Sequence, residues 1–325
     1  MTSSSVPVIE TRGLYKNYGR IQALRGVSIA VERGEIYGLQ GQNGAGKTTL
    51  IKVLIGIAWK SAGDAFLLGE VSGAVGVRQR VGFLPEDHRL PDYHTANSLL
   101  NFYGKLMGLH RRERQRRVPY LLDLVGLADR RYYKVRTFSK GMKQRLGLAQ
   151  AILHRPEVIF LDEPTDGVDP VGRREIRTIM ARLKEEGKTL FLNSHLLGEV
   201  ELICDRVAIM QRGEVIREGD VESLTRLRGL YVIGLAPGEV FPSEEIVNHG
   251  FRVQANGESW EVELTDGQTI DPVVRLLHAR GLNLRHLIEK RQTLEDQFVE
   301  TVTAAEARDH RQPTHNLDSA KRASP

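Results

Sequence analysis

The segment GQNGAGKT, at residues 41–48, has the spacing of a phosphate-binding loop: a glycine, four further residues, and then Gly-Lys-Thr. Its glycines allow a backbone path that turns successive N–H groups toward one point, where they can hold an anion. The Lys47 ammonium can reach the outer phosphates of a nucleotide, and the Thr48 hydroxyl can bind Mg²⁺. The alternative is a glycine-rich turn that caps a buried helix. The pattern favours nucleotide binding by Gly41, Gln42, Asn43, Gly44, Ala45, Gly46, Lys47, Thr48 and Thr49.

Two acids follow an apolar stretch in EVIFLDEPTDGVDP, at residues 157–170. If that stretch is a strand, Asp162 lies at the carboxyl edge of the sheet, where a magnesium ion on the phosphates would be placed. Glu163 is one residue further and points elsewhere, so it could orient or deprotonate an attacking water. A pair of acids that begins a helix is the other interpretation. It is the weaker one, because the acids follow an apolar strand in a chain that also has a phosphate loop.

Two further side chains gain weight only from these neighbours. His195 ends the apolar run FLNSH, and its imidazole could bond a terminal phosphate, although such a histidine is more often a structural cap. Tyr18, in LYKNYG, could stack on a nucleotide base, although a tyrosine at a strand end usually packs against its neighbours. Both are candidates for the nucleotide site and are no independent evidence for one.

A second candidate anion site lies in FSKGMKQRL, at residues 138–146. Ser139, Lys140 and Gly141 form a turn that opens a predicted helix, which is how a chain presents backbone N–H groups to an anion. The chain thus carries two phosphate-binding patterns far apart in its sequence. A single nucleotide site does not need both.

The patterns around the glycine loop predict strands on both sides of it. Residues 8–19 and 23–35 alternate apolar and polar side chains and indicate antiparallel strands. The apolar segment at 35–41 indicates a short strand, and an apolar stripe from Lys47 to about Ile55 indicates a helix. Strand, glycine loop and helix is the context that a phosphate loop requires.

The middle of the chain predicts a parallel sheet interrupted by a helical insert. Apolar runs at 157–164 and 188–195 are joined by a helical pattern at 172–188, which favours crossover connections between parallel strands. A hairpin follows, with its turn at Arg212 and Gly213. From about residue 87 to residue 155 the periodicity is helical.

The last third of the chain predicts a separate α+β unit and a tail. Between Leu230 and Lys290 the patterns follow the order β-α-β-β-α-β, which is the ferredoxin-like arrangement. A short helix at 293–302 would close the unit. The polar residues 304–325, which include no aromatic side chain, predict a disordered tail. The predicted domains are therefore 1–228, 229–303 and the tail.

The composition of the 325 residues is that of a soluble chain of about two domains. The single cysteine, Cys204, makes no internal disulfide, which fits a reducing cytoplasm and a small buried side chain. No secretion signal and no apolar run of about 18 residues is found, so a membrane role would come through a partner. The net charge of +5 permits contact with anionic lipid or nucleic acid but does not favour either. The basic run at 110–117 indicates a solvated helix face or contact with lipid head groups.

Taken together, these motifs resemble the ATP-binding subunit of an ABC transporter, over about residues 8–227. Residues 41–49 match Walker A, Asp162 and Glu163 match Walker B and the catalytic glutamate, and residues 166–169 match the D-loop. Tyr18 matches the adenine-stacking aromatic and His195 the switch histidine. FSKGMKQR matches the signature motif, with Lys140 in place of its first glycine and Met142 in place of its glutamine. Glu86 stands where the family has the Q-loop glutamine, and a carboxylate there can still bind magnesium.

The resemblance implies a P-loop NTPase cassette with an antiparallel β subdomain, a RecA-like parallel core and a helical subdomain. It implies ATP and Mg²⁺ as ligands and a head-to-tail homodimer in which Ser139 and Gly141 grip the nucleotide of the other copy. It also implies a polytopic permease of the ABC-2 exporter type as partner, a peripheral place on the cytoplasmic face of the membrane, and no nucleic acid. The alternatives are a soluble ABC ATPase that acts on ribosomes or nucleic acid, and a phosphate-loop kinase. The segment FSKGMKQR would have no role in a phosphate-loop kinase, so it disfavours that alternative.

Overall fold

The computed structural model describes residues 6–257, 259–265, 267–291, 293–295, 299, 301 and 303. The described residues before 222 form most of one compact unit, and residues 222–297 form a second. Each unit has its own apolar core.

The described residues before 221 contain ten strands, seven α-helices and two short 3-10 helices, Ala128–Arg130 and Val135–Thr137. The strands are β1 (Ile9–Tyr18), β2 (Ile21–Val31), β3 (Ile36–Gly41), β4 (Ala62–Leu67), β5 (Glu70–Val71), β6 (Val81–Leu84), β7 (Val158–Asp162), β8 (Thr189–Asn193), β9 (Arg206–Gln211) and β10 (Glu214–Asp220). The helices are α1 (Lys47–Leu54), α2 (Val75–Arg78), α3 (Ala96–Leu106), α4 (Arg111–Leu124), α5 (Lys140–Ala151), α6 (Pro170–Glu185) and α7 (Leu197–Ile203). A further short helix, α8 (Val221–Thr225), begins where the first unit ends.

Two sheets build this unit, as the sequence predicts. One is an antiparallel sheet with the strand order β2-β1-β4-β5. The other has the order β10-β9-β3-β8-β7-β6, in which the strands from β9 to β6 are parallel and β10 is antiparallel. Strands β3, β7 and β8 are buried along their whole length, which explains their continuous apolar sequences. The hairpin turn at Arg212 and Gly213 is confirmed.

The core fixes helix α1, and with it the glycine loop, on the parallel sheet. Leu50, Ile51 and Leu54 of α1 are fully buried in one cluster with Tyr37 of β3 and Phe191 of β8. Such burial stabilises each aliphatic side chain by about 1.5–3 kcal/mol relative to exposure. The loop is therefore held between two elements that cannot move independently of the core. Cys204 is also buried, as predicted, and burial raises the pKa of its thiol.

One acid and two arginines join the start of β7 to neighbouring segments. Glu157 accepts a hydrogen bond from Arg80 Nε at 2.6 Å and one from Arg33 Nη1 at 3.0 Å. These arginines, Arg80 above all, lower the pKa of Glu157 to about 2.

Glu157→Gln is expected to lower the free energy of unfolding at neutral pH by about 1 kcal/mol, because the ion pairs are partly exposed and screened by solvent. The folded-state pKa is depressed, so this stability is present above the ordinary glutamate pKa and is lost as the pH falls toward about 2. Urea unfolding of both proteins at about pH 7 and about pH 3 measures the effect. A difference that is the same at both pH values would contradict it.

The predicted helical insert consists of α3, α4 and α5. Thr95 and Ser98 form a reciprocal cap at the start of α3, and Ser139 caps α5. The expectation of a wholly solvated basic face on α4 is wrong for two arginines. Arg117 donates to the Ile152 carbonyl at 3.0 Å and burial lowers its pKa, while Arg114 donates to the Leu109 carbonyl. These arginines satisfy backbone oxygens near helix ends, which the basic composition of the run did not indicate.

The second unit follows the predicted order β-α-β-β-α-β. Its elements are β11 (Arg226–Leu235), α9 (Ser243–Asn248), β12 (Arg252–Asn256), β13 (Ser259–Glu263), α10 (Asp271–Ala279) and β14 (Leu284–Arg291). The strands form an antiparallel sheet in the order β12-β13-β11-β14. Its core includes a stack of Phe241 on Trp260 with ring centroids 4.7 Å apart.

The second unit begins at residue 222, before the predicted boundary at 229. Strand β11 starts at Arg226, whereas the apolar pattern that predicted a strand starts only at Leu230. Pairing of Arg226 with Arg291 extends the strand into a polar stretch. The predicted closing helix at 293–302 lies largely outside the described residues, and the predicted tail at 304–325 lies wholly outside them.

Candidate functional site

A cavity of about 1180 Å³ surrounds the glycine loop of the first unit. The loop residues from Gly41 to Thr49 form its floor. The turn between β1 and β2 forms one wall, and polar side chains at the carboxyl ends of the parallel strands form the other. This is the edge at which parallel α/β sheets bind their ligands.

The loop needs glycine at two points. A Cβ atom on Gly41 would lie 2.4 Å from the Met210 carbonyl oxygen. A Cβ atom on Gly46, whose φ is 105°, would lie 2.4 Å from the Ala23 carbonyl oxygen. Helix α1 begins directly afterwards, at Lys47, so its free N–H groups face the cavity. The backbone path is thus fixed by contacts with β9 and with β2.

Lys47 is buried beneath the loop. Its ammonium donates to the Gly41 carbonyl at 2.6 Å and to the Gln42 carbonyl at 3.2 Å. Burial lowers the pKa of Lys47, and the acids Glu163, Asp162 and Glu86 oppose that shift. The ammonium therefore sits among carbonyl oxygens that an anionic phosphate can replace.

Asp162 is the last residue of β7 and is 2% exposed. The Asn193 amide, at the end of β8, and the Thr48 hydroxyl both hydrogen-bond to its carboxylate. Burial raises the pKa of Asp162, and these hydrogen bonds oppose the shift. Neighbouring strands and α1 thus hold the carboxylate in one orientation.

Glu163 follows in a left-handed backbone conformation, with φ of 51°. Its N–H donates to the Asn193 carbonyl at 2.8 Å, and its carboxylate lies 2.7 Å from His195 Nδ1. The His195 N–H donates to the same oxygen at 3.2 Å. Burial raises the pKa of Glu163, and His195 opposes the shift. When Glu163 is ionised, its carboxylate only accepts hydrogen bonds, so His195 Nδ1 is then the donor in this pair.

The oxygen donors of the cavity fit a magnesium ion that arrives with phosphates. Thr48 and Asp162 are in contact, and Glu86 lines the cavity beside them. Mg²⁺ takes hard oxygen ligands and usually combines one or two protein groups with phosphates and waters. Among the residues that the structure describes, no group of three or more His, Cys, Asp or Glu side chains is placed to hold a metal ion.

The structure brings most of the predicted site residues together, but five of them do not line the cavity: Tyr18, Asp162, Ser139, Lys140 and Gly141. Asp162 contacts two residues that do line it, Thr48 and Asn193. Tyr18 ends β1, is 46% exposed and carries the Lys16 ammonium 4.6 Å from its ring centroid. It does not line the cavity, so its role in stacking on a base stays a prediction. Ser139, Lys140 and Gly141 lie at the start of α5 and do not line it either.

Several lining residues were missed by the sequence analysis. Asn193 touches both Asp162 and Glu163, and its place at the end of a predicted strand beside β7 was a usable signal. Arg20 and Ile21 carry no signal in the sequence, because it is the pairing of β1 with β2 that brings them to the glycine loop. Asp166 was identified only as part of the D-loop, and it lines the cavity.

A phosphate loop after β3 of a parallel sheet, a buried lysine, and two acids at the end of β7, which β8 separates from β3, define a P-loop nucleoside triphosphatase. The family model for ABC transporters matches residues 24–166. An uncharacterized ABC transporter ATP-binding protein of Synechocystis is 40% identical over 302 residues, which cover 90% of this chain and 84% of that protein. The linearmycin resistance ATP-binding protein LnrL of Bacillus subtilis is 37% identical over 231 residues, which cover 70% of this chain and 74% of that protein.

Solved structures agree with this assignment. An ATP-binding subunit of an ABC transporter matches with a TM-score of 0.61 at 31% identity, over 67% of this chain and 91% of that chain. A component of the cbiONQ ABC transporter complex of Clostridium perfringens matches with a TM-score of 0.63 at 28% identity, over 68% and 91%. The chain belongs to the family of ABC transporter ATP-binding proteins, and it binds and hydrolyses ATP. In the part of the chain that the structure describes, no helix has the length and apolarity to cross a membrane.

Proposed function

We propose that this chain powers export through a separate polytopic permease of the ABC-2 type, as a homodimer on the cytoplasmic face of the membrane. The observation that carries the proposal is the division of the site: the cavity is lined by the loop, Glu163 and His195, while the signature residues do not line it. The resistance function named for the Bacillus relative is consistent with export. Residues 1–228 serve as the cassette, with its helical subdomain at about 87–155, and residues 229–303 serve as an accessory domain.

Within one cavity, the residues divide the work on ATP. Lys47 exchanges its two loop carbonyls for the outer phosphates, and the N–H groups at the start of α1 hold their oxygens. Thr48 and Asp162, with Glu86 nearby, would hold a magnesium ion, which when bound supplies positive charge to the phosphates. Glu163 accepts the proton of the attacking water, and His195 keeps its carboxylate in place.

The signature residues act on the nucleotide of the other copy. Ser139 and the N–H groups around Gly141 are held at the start of α5, where the Ser139 hydroxyl accepts from the Met142 N–H at 3.2 Å. In a head-to-tail dimer each α5 faces the cavity of the partner, so ATP joins the two copies and hydrolysis releases them. One chain supplies every residue of the proposed set, so a homodimer is sufficient.

Affinity purification of the tagged chain from membranes of its native cell tests the transport role. We expect a polytopic membrane protein to be recovered in stoichiometric amount and to stay bound through a high-salt wash, because salt screens adsorption to lipid head groups. An untagged strain is the control. Recovery of ribosomes without a membrane protein would overturn the proposal in favour of the non-transport alternative.

A further inference from the structure

An ion pair links the signature turn to the cavity of the same protomer. Lys140 Nζ lies 2.9 Å from Asp166 Oδ2, and Asp166 lines the cavity with Glu163 and His195. Lys140 is the first residue of α5, whose first turn contains no acid. A cation near the positive end of a helix dipole is unfavourable, so Lys140 is electrostatically disfavoured at this position of α5. Asp166 offsets that charge from outside the helix.

The Lys140 side chain lies against the backbone of the catalytic loop, defined as residues 163–169. Gly167 has φ of 60°, and a Cβ atom there would lie 2.1 Å from Lys140 Nζ. A Cβ atom on Gly141 of α5 would lie 3.1 Å from a Val168 methyl group. The start of α5 therefore lies directly on the catalytic loop, with the Lys140 side chain over Gly167 and Gly141 against Val168.

A second polar contact reaches the catalytic loop from one turn further along α5. Gln144 is 3% exposed, and its amide nitrogen donates to the Glu163 carbonyl at 3.2 Å. The Glu163 N–H is bound to Asn193. A non-glycine residue in the left-handed region persists only where its surroundings fix it. Gln144 supplies one of three hydrogen bonds to the Glu163 backbone, and it is the one that comes from a side chain of α5; the others involve the Asn193 carbonyl and the Asp166 N–H.

We propose that Lys140 and Gln144 are positioning residues, which tie the signature helix to the catalytic loop of the same protomer. The inference rests on the proposed function, because in the proposed dimer the start of α5 contacts the nucleotide bound by the partner, while Glu163 acts on the nucleotide bound by its own protomer. A shift of α5 caused by the partner's nucleotide is passed through these two contacts to Asp166 and Glu163. Each protomer thereby couples the two composite sites of the dimer through a contiguous set of contacts.

A double-mutant cycle on the full chain tests the exposed contact. Lys140→Gln and Asp166→Asn are each expected to lower kcat for ATP about tenfold, with KM for ATP changed less than about twofold. The double variant is expected to fall about tenfold in all, because both substitutions remove one contact. Lys140→Arg is expected to keep at least about half of kcat, since its guanidinium can also pair with Asp166. Lys60→Gln is the control, because it breaks a similar exposed pair with Asp64, at 2.7 Å, away from the cavity; its kcat stays unchanged.

The outcomes separate the coupling from a direct role of Lys140 on phosphate. Effects that multiply to about a hundredfold in the double variant, or an Asp166→Asn variant with full kcat, would overturn the inference. If Glu163→Gln still forms an ATP-dependent dimer in that case, the proposed function stands without it. If no such dimer forms, the proposed function itself fails.

The buried contact has its own test. Gln144→Met removes the amide and keeps the volume of the side chain. We expect kcat to fall at least about tenfold while binding of a fluorescent ATP analogue changes less than about twofold, because only the Glu163 backbone loses a partner. Retained nucleotide binding and an unchanged melting temperature verify that the variant is folded. An unchanged kcat would remove Gln144 from the coupling.

Discussion

Glu163→Gln is expected to lower kcat for ATP by about two to four orders of magnitude, the range for removal of a general base. Glutamine keeps the size of the side chain and can still accept a hydrogen bond from His195, which lies 2.7 Å away. It cannot take a proton from water at neutral pH. Lys47, Thr48 and Asp162 remain in place, so ATP binding is expected to change little. Nucleotide binding without turnover should keep the dimer closed.

Three measurements on one preparation check this expectation: steady-state ATP hydrolysis, equilibrium binding of ATP, and molar mass by light scattering with and without Mg-ATP. The dimer should appear only in the presence of nucleotide. Glu185→Gln, an acid-to-amide change on the exposed end of α6, is the matched control and should behave as wild type. A monomeric Glu163→Gln protein with unchanged turnover would exclude Glu163 from the mechanism.

The parts of the site that the sequence predicts are those built from neighbours in the chain. The glycine loop is one contiguous segment, and its strand and helix are adjacent to it, so local spacing was sufficient. Asp162 follows from a strand that is buried throughout and ends in acids. In each case the sequence pattern and the functional side chains lie within a few residues of each other, and over that distance apolar periodicity and glycine positions predict structure.

Contacts between distant segments set the rest. Strand β4 was missed because AGDAFL has a glycine and an acid at its start, and its pairing with β1 is what makes it a strand. The Arg25 N–H bonds to the Gly213 carbonyl at 2.8 Å, which joins β2 to a turn far along the chain and forms a cavity wall. The ion pair of Lys140 with Asp166 joins two motifs that were interpreted separately. Tertiary packing decides such contacts, and a single sequence gives no pattern for them.

Mixing two inactive variants, Lys47→Ala and Ser139→Ala, is expected to restore part of the ATP hydrolysis activity. Lys47→Ala removes the ammonium from the cavity, and Ser139→Ala removes the hydroxyl from the start of α5, so each homodimer is expected to keep less than about 5% of wild-type turnover. In a mixed dimer, one composite site carries both lesions and the other carries none. An equal mixture that exchanges subunits freely contains about half mixed dimers, each with one intact site of two. Turnover of the mixture is therefore expected to recover to at most about a quarter of the wild-type value, which is the limit for two sites that turn over independently.

The matched control for this experiment is a mixture of Lys47→Ala with Glu163→Gln. Lys47 and Glu163 line the same cavity of one chain, so in their mixed dimer each site carries one lesion and neither is intact. That mixture should stay inactive. The two variants are combined as monomers before Mg-ATP is added, because Glu163→Gln dimers are expected to stay closed on ATP. Recovery in the first mixture alone requires that the α5 residues of one copy serve the cavity of the other. Equal recovery in both mixtures, or none in either once subunit exchange is demonstrated by labelled protomers, would mean that the two halves of the site do not meet across a dimer.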